Sequence, residues 1–402
     1  MFASAIDCWD EGIPVVLDRL QNRAGVKGLT VAVSYHAARD LLPHNPIRRV
    51  AFLESGVVYF RPELERYAVT PLQPKLASIA AGRDILAELR DPTAERGIEL
   101  GAWVVFLHNT RLASAHPSMS TRNAFGDSMV NTLCPANPAV RKFCIALASD
   151  IAHRRPGALH LESLSFMPYD HGNHHERTFI ALDALSRYLL SLCFCESCCQ
   201  AAHENGVDVE AVQAFTRLRL EVAFASDAEL SKSPKLEQHA IASAVAGEFG
   251  RFIEVRQRLV TSLVEAVCQA IWQEAPAARI TYLDVSGAFA SGQPDSVSAV
   301  DLAWRDGLDL PAIAALTSSI GVCGYFRSST RLHAEIAEYR RVLPEGTSME
   351  IIFRPGWPDN DSAASLAEKV RSVMDGNNRI SFYHYGMVRL DVLDWIKTAL
   401  AA

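Results

Sequence analysis

The sequence lacks the motifs by which several large enzyme classes bind cofactors or activate nucleophiles. Its 402 residues contain no G-x-G-x-x-G fingerprint, phosphate-binding loop, G-x-S-x-G turn or H-E-x-x-H pair. These absences argue against nucleotide-cofactor enzymes and against serine hydrolases.

Long apolar runs are also missing. No stretch approaches the roughly 18 apolar residues that a bilayer span requires. The first residues, MFASAIDCWDEG, have no basic segment and carry acids early, which differs from a secretion signal. With nine cysteines and no export signal, we expect reduced or metal-bound thiols and a cytoplasmic location.

Basic charge is scarce as well. The chain has 39 Lys and Arg against 46 Asp and Glu, a net charge of -7, and no basic stripe is visible. This balance argues against nucleic acid as the main partner. The 49% hydrophobic and 21% charged content is normal for a globular protein with a large core.

What the sequence does contain is a regular alternation of short apolar segments and helical patterns. Eight segments have the apolar character of strands: residues 3–8, 29–35, 99–107, 158–162, 279–285, 319–326, 348–353 and 379–385. Amphipathic helical patterns follow most of them. This alternation predicts an α/β fold of the (β/α)8 TIM-barrel type, formed by a single domain over residues 1–402.

Two additions to the barrel are expected. Residues 49–60 contain two strand-like runs around Ser55-Gly56, which predicts a hairpin after the second barrel strand. Residues 178–275 are mostly helical, which is more than one crossover helix needs. We therefore predict a helical insertion at 178–250, after the fourth strand, as a candidate contact in a homo-oligomer.

The most informative stretch is GALHLESLSFMPYDHGNHHE at 157–176. Its alternating strand ends at Glu162 and enters a loop that contains Asp170, His171, His174 and His175. Barrel enzymes place their active sites at the carboxyl ends of the strands, so Glu162 is a candidate general acid/base. The alternative is a salt-bridged strand end followed by a solvated loop.

Further polar and aromatic residues fall at or just after predicted strand ends. They are His36, His108, Asn109, Arg111, Arg354, Trp357, His384 and Tyr385. Aromatic rings stack on sugar rings and fixed polar groups pair with hydroxyls, so this set suits a carbohydrate or glycoside ligand. Arg111 and Arg354 could instead hold an anionic group.

The cysteines form a second signal. Cys193, Cys195 and Cys198 give a C-x-C-x2-C pattern, and Cys134 lies in Cys134-Pro-Ala-Asn-Pro138 after the third strand. Three close thiolates with a fourth from elsewhere match a tetrahedral structural zinc site, with Cys134 as the candidate fourth ligand. The alternative is a set of reduced surface thiols.

This pairing of a C-P-x-N-P loop with a later C-x-C-x2-C cluster resembles the zinc-bearing β-galactosidase family of TIM-barrel glycoside hydrolases. The resemblance covers roughly residues 95–205. It implies that the four cysteines bind zinc and that Glu162, at the end of the fourth strand, is the general acid/base. That family has its nucleophilic glutamate at the end of the seventh strand, where this chain has Phe353-Arg354 and no carboxylate.

Glycoside hydrolysis usually needs two carboxyl groups, about 5–5.5 Å apart for retention and about 6.5–9.5 Å apart for inversion. Asp284, at the end of the fifth strand, is the candidate for the second group. The sequence thus predicts a glycoside hydrolase.

Two alternatives stay open. The loop Asp170-His171-x-x-His174-His175-Glu176 could bind a catalytic divalent metal, as in a metal-dependent sugar isomerase, epimerase or lyase. The missing seventh-strand acid favours a barrel that binds carbohydrate without cleaving it.

Overall fold

The computed structural model describes residues 1–171, 177–225, 236–290, 297–374 and 377–401. Eight parallel strands form a nearly closed barrel in sequence order. They are β1 (Phe2–Ala3), β2 (Gly28–Tyr35), β3 (Glu99–Val105), β4 (Ala158–Glu162), β5 (Arg279–Asp284), β6 (Ser319–Cys323), β7 (Met349–Phe353) and β8 (Asn378–Phe382). The prediction of a (β/α)8 barrel is confirmed.

Helices surround this barrel, since the central strands are buried on both faces. They are α1 (Ala5–Glu11), α2 (Ile13–Asp18), α3 (Ile85–Glu95), α4 (Thr110–Ala115), α5 (Pro138–His153), α6 (Ala184–Ser191), α7 (Glu196–Glu204), α8 (Val209–Ala225), α9 (Gln238–Ala242), α10 (Glu248–Glu274), α11 (Ser286–Ala290), α12 (Ala299–Ala303), α13 (Leu310–Ala315), α14 (Ser329–Val342), α15 (Ala363–Val373) and α16 (Leu390–Ala401). Across the described residues, no helix combines the length and apolar character needed to cross a membrane.

The first strand is shorter than its apolar pattern predicts. It ends at Ala3, and α1 begins at Ala5, so Asp7 and Cys8 are helical. The Ser4 backbone N–H donates a hydrogen bond to the Asp7 carboxylate at 2.8 Å, as in a helix capping box. This local bond starts the helix before the strand can extend.

The hairpin after β2 is present, but its strands differ from the predicted pair. Ala38–Leu41 pairs antiparallel with Val50–Leu53. The run after Gly56, Val57–Val58, instead pairs antiparallel with the end of β2. Gly56, with φ +61°, turns the chain back toward the barrel rather than closing a hairpin on itself.

The region between β4 and β5 has a core of its own. Side chains of α6 and α8 pack with Phe249 and Phe252 of α10 in a cluster separate from the barrel core. Farther along α10, Val260 and Val264 belong to the barrel core. The long helix α10 therefore joins the added helices to the barrel.

Candidate functional site

A cavity of about 270 Å³ lies at the carboxyl ends of the barrel strands. Its walls include Tyr35, His36, Trp103, Glu162, Phe166, His171, Asp306, Cys323, Tyr325 and Tyr383. A larger hollow of about 420 Å³ lies where the strands begin, beside Glu99 and its partners Arg279 and Arg379. Barrel enzymes carry their chemistry at the carboxyl ends, so the smaller cavity is the candidate active site.

Glu162 is the last residue of β4, opposite Val105 of β3, and its carboxyl group lines the cavity. The Trp103 indole Nε1–H donates a hydrogen bond to its Oε2 at 2.6 Å. Burial raises the pKa of Glu162 to about 7, although the Trp103 N–H acts in the opposite direction. A carboxyl group with this pKa can both donate and accept a proton near neutral pH.

Aromatic rings form the wall around Glu162. Trp103 meets Tyr35 edge-on at 4.7 Å and Tyr383 at 5.7 Å between ring centroids. The Tyr35 and Tyr383 hydroxyl oxygens are 3.4 Å apart. This wall combines apolar ring faces with hydroxyl groups, which is what a sugar ring requires.

Three of the predicted histidines meet at the same end of the barrel. His36 stacks on His108 with 4.2 Å between ring centroids, and His171 lies 5.0 Å from His108. His36 and His171 line the cavity. His174 and His175, on which the metal-dependent alternative also depends, lie outside the described residues.

His384 and Tyr385 follow β8 but do not line the cavity. His384 is buried near the Ser4 hydroxyl, at 3.3 Å, and burial lowers its pKa to about 3. The Tyr385 hydroxyl donates a hydrogen bond to Glu11 at 2.8 Å. Both side chains connect the end of β8 to α1.

Several other predicted site residues hold loops in place. Asn109 caps α4 by accepting a hydrogen bond from the Leu112 N–H at 2.9 Å. Arg111 donates to the Gly56 carbonyl at 3.0 Å. Asp170 pairs with Arg187, and Trp357 is 89% exposed. None of these four predicted residues lines the cavity.

Arg354 makes a bidentate ion pair with Asp359, at 2.6 and 2.8 Å. Its guanidinium also lies over the Tyr325 ring, 4.5 Å from the centroid. Tyr325 itself lines the cavity. Arg354 therefore supports the cavity wall from behind.

Asp284 is fully buried at the end of β5, and both of its carboxylate oxygens are used. Oδ1 accepts from the Ser286 N–H at 2.9 Å, and Oδ2 accepts from the Tyr339 hydroxyl at 2.6 Å. It is not a lining residue of the cavity. This geometry gives no support to Asp284 as the second catalytic carboxyl group.

Asp306 is a cavity residue that sequence reasoning missed. It ends the short 3-10 helix Trp304–Asp306, well after β5, and is 7% exposed. Burial raises its pKa to about 8, and the positive charge of Arg256 acts in the opposite direction. No strand-end pattern marks this position. Trp103 could have been found, because it shares the inward face of β3 with Val105, two residues on.

The four predicted cysteines come together in one buried cluster. The sulfur atoms of Cys134, Cys193, Cys195 and Cys198 all lie within 4.8 Å of one another. Cys134 Sγ is 3.5 Å from both Cys195 and Cys198, and 3.9 Å from Cys193. Tetrahedral zinc with Zn–S bonds of about 2.3 Å separates its sulfurs by ~3.8 Å. The cluster could therefore hold a metal ion.

The chain shares its architecture with solved glycosidases. It matches the α-L-fucosidase isoenzyme 2 from Paenibacillus thiaminolyticus with a TM-score of 0.53 and 14% identity, over 96% of this chain and 45% of that one. The β-galactosidase from Marinomonas ef1 matches with a TM-score of 0.55 and 12% identity, over 100% and 59%. The catalytic domain of β-amylase from Paenibacillus polymyxa matches with 0.54 and 11%, over 97% and 94%.

The chain has a glycoside-hydrolase-like barrel fold. It spans only 45% of the fucosidase and 59% of the galactosidase, and at 11–14% identity the likeness shows the fold alone. No family model matches the sequence, and no curated protein matches it.

Proposed function

We propose that this protein is a glycoside hydrolase and that Glu162 is its general acid/base. The observation that carries the proposal is the position of Glu162. It ends β4, lines the cavity at the carboxyl end of the barrel, and has a pKa raised to about 7 by burial. A proton-transferring carboxyl group in a partly dry cavity is what cleavage of a glycosidic bond requires.

The cavity walls support a sugar as the ligand. Its volume of about 270 Å³ is just below the range of ligand pockets, roughly 300–1,000 Å³. A space of this size suits one sugar ring better than a long oligosaccharide. The rings of Tyr35, Trp103 and Tyr383 supply stacking faces beside Glu162.

A screen of aryl glycosides with the purified protein tests the proposal. We expect at least one substrate to be cleaved, and Glu162→Gln to lower kcat/KM by about 10²–10⁴-fold while substrate binding is retained. Glu54→Gln is the control, since Glu54 pairs with Lys75 outside the cavity. Equal turnover by wild type and Glu162→Gln would contradict the role of Glu162.

A barrel that binds carbohydrate without cleaving it is the second candidate. It is favoured by the end of β7, where Phe353 and Arg354 stand in place of an acid and Arg354 is paired with Asp359. In the same screen, sugar binding by wild type without cleavage of any glycoside would support this function.

We further propose that the four-cysteine cluster holds a structural zinc ion. It would join the loop after β3, which carries Cys134, to the start of α7. The Arg122 N–H donates to Cys193 Sγ at 3.3 Å, as backbone amides often do around metal-bound thiolates. We also propose a cytoplasmic location, which is supported by the finding that none of the nine cysteines is paired in a disulfide.

A further inference from the structure

Asp306 brings a second carboxyl group to the cavity that contains Glu162. The two acids have different surroundings. Glu162 lies beside Trp103, whereas Asp306 follows Trp304 and Arg305, and its backbone carbonyl accepts a hydrogen bond from Phe166. The two acids thus line the same cavity but have different neighbours.

The carboxylate of Asp306 receives no hydrogen bond from any residue that the structure describes, although only 7% of the residue is exposed. Buried carboxyl groups are normally hydrogen-bonded, because an unmet acceptor costs free energy. Every other carboxylate discussed above, including Glu162 and Asp284, has a donor. The open acceptor positions of Asp306 therefore point to a ligand.

The segment that carries Asp306 is held firmly. Arg256 of α10 is 1% exposed and lies over the Phe166 ring, 3.9 Å from the centroid. Its Nη2 donates a hydrogen bond to the Arg305 carbonyl at 2.8 Å, directly before Asp306. The positive charges of Arg256 and Arg305 favour the ionised form of Asp306 and so lower its pKa against the effect of burial. A fixed carboxylate with charge compensation is suited to recognition.

We propose that Asp306 recognises a sugar in this cavity by accepting hydrogen bonds from two adjacent hydroxyl groups of one sugar ring. Hydroxyl donors favour the ionised form of Asp306, as the charges of Arg256 and Arg305 do, because hydrogen bonds to a charged group stabilise it. The ionised carboxylate has two oxygens and accepts only, so two neighbouring hydroxyl donors satisfy it. The ligand class is a sugar unit with two free neighbouring hydroxyls away from its anomeric carbon. The inference rests on the proposed function only in taking the ligand to be a sugar.

The test is a binding experiment that does not depend on turnover. The methyl glycosides of galactose, glucose, fucose and xylose are titrated against the full-length wild type by calorimetry. The tightest binder is then compared with its monodeoxy derivatives. We expect Asp306→Asn to weaken binding at least tenfold, and removal of the contacted hydroxyl to weaken wild-type binding similarly.

The two changes should also be non-additive. A dideoxy sugar that lacks both contacted hydroxyls should bind wild type and Asp306→Asn almost equally, because neither complex then contains a hydrogen bond from a sugar hydroxyl to residue 306. Asp309→Asn is the matched control. Its carboxylate caps α13 through the Ala312 N–H, asparagine caps equally well, and it does not line the cavity.

Each outcome decides the assignment. Equal binding by wild type and Asp306→Asn, or deoxy sugars that all bind as well as the parent, would overturn it. Absence of binding by wild type to all four glycosides would overturn it too. If wild type binds a sugar through Asp306 but cleaves no aryl glycoside, the hydrolase proposal fails and the recognition role of Asp306 stands.

Discussion

The side chains of Glu162 and Trp103 lie on neighbouring strands, and the hydrogen bond between them influences the protonation of the cavity. Burial favours the neutral form of Glu162 and raises its pKa to about 7, whereas the indole N–H favours the charged form. If protonated Glu162 is the general acid, activity should be present below this pKa and fall as the pH rises through it.

Replacing Trp103 by phenylalanine should move that loss of activity to higher pH. An aromatic ring is kept but the N–H donor is removed, so the pKa of Glu162 should rise by about one to two, given the ~1.5–3 kcal/mol of a hydrogen bond to a charged group. The pH profile of kcat/KM measures the change. Trp9→Phe is the control, since Trp9 does not line the cavity. If the fall of kcat/KM at high pH stays where it is or moves to lower pH, the Trp103 N–H does not control the pKa of Glu162.

The two aspartates after β5 show what sequence reasoning at the residue scale can and cannot find. Asp284 lies at the end of a strand, where barrel enzymes carry their active-site residues (the strand-end rule). However, it points into the shell of helices, where Tyr339 and Ser286 donate hydrogen bonds to both of its oxygens. Asp306 breaks the rule, because it reaches the cavity from a 3-10 helix far along the chain. Which acid faces the cavity depends on packing with Phe166 and Arg256, and the spacing of apolar residues in the sequence does not predict that packing.

At the scale of elements, the sequence predicts the barrel strands well because most of them are short, buried runs rich in apolar residues. β4 and β5 begin at the residues predicted, and β3 ends two residues early at Val105. The failures occur where a local hydrogen bond outweighs apolar character. The bond between Ser4 and Asp7 shortens β1, and the pairing of Val57–Val58 with β2 replaces the expected hairpin.

The cysteine cluster connects the loop after β3 to the start of α7, and its removal should destabilise both. We expect the purified protein to contain one equivalent of zinc, and Cys195→Ser to lose the metal and to unfold at a lower temperature, because metal binding is coupled to folding. Elemental analysis and thermal denaturation measure these effects.

Cys199→Ser is the matched control for the zinc prediction. Its sulfur lies outside the group of four and contacts the Phe194 carbonyl instead. A protein purified without chelators that contains no zinc, or a Cys195→Ser variant that keeps its full metal content, would contradict the structural role.

At the scale of the whole molecule, the strand-end rule identified the correct end of the barrel but not every residue of the cavity. The difference is seen after β8, where Tyr383 lines the cavity but the next residue, His384, does not. Its imidazole lies beside the Ser4 hydroxyl and the Asp7 carboxylate at the start of α1. Glu162 and His36 were found because they lie at or directly after the ends of β4 and β2, and His171 because it lies in the loop that follows Glu162.

Buried acids are distributed over the whole fold rather than confined to the cavity. Burial raises the pKa to about 6 for Asp40, to about 7 for Asp7, Glu162 and Glu335, and to about 8 for Asp306. In the unfolded chain these groups titrate near pH 4. The folded state therefore binds more protons than the unfolded chain between about pH 4 and pH 8, and its stability falls as the pH rises through this window.

The buried histidine His384 acts in the opposite direction. Its pKa is lowered to about 3, so protonation of the unfolded chain below about pH 6.5 reduces stability. The buried Glu350, whose pKa is lowered beside His160, adds stability that is lost progressively as the pH falls below about 4.5. The buried Met1 amino group, with its pKa lowered to about 6, also acts against the acids. These two basic groups do not offset five acids, so the free energy of unfolding should be larger near pH 5 than near pH 8.5.

Urea denaturation at a series of pH values tests this expectation, and Glu335→Gln tests its origin. Glu335 lies outside the cavity on α14, is fully buried, and accepts a hydrogen bond from the Ala299 N–H. A pKa that differs by one between the folded and unfolded states changes stability by ~1.4 kcal/mol, so Glu335→Gln should visibly flatten the pH dependence.

Glu338→Gln, on the same helix and paired with Arg341 at the surface, should leave the pH dependence unchanged. Stability that rises between pH 5 and pH 8.5 would show that the buried acids are ionised in the folded protein, against the raised pKa on which the general-acid role of Glu162 depends.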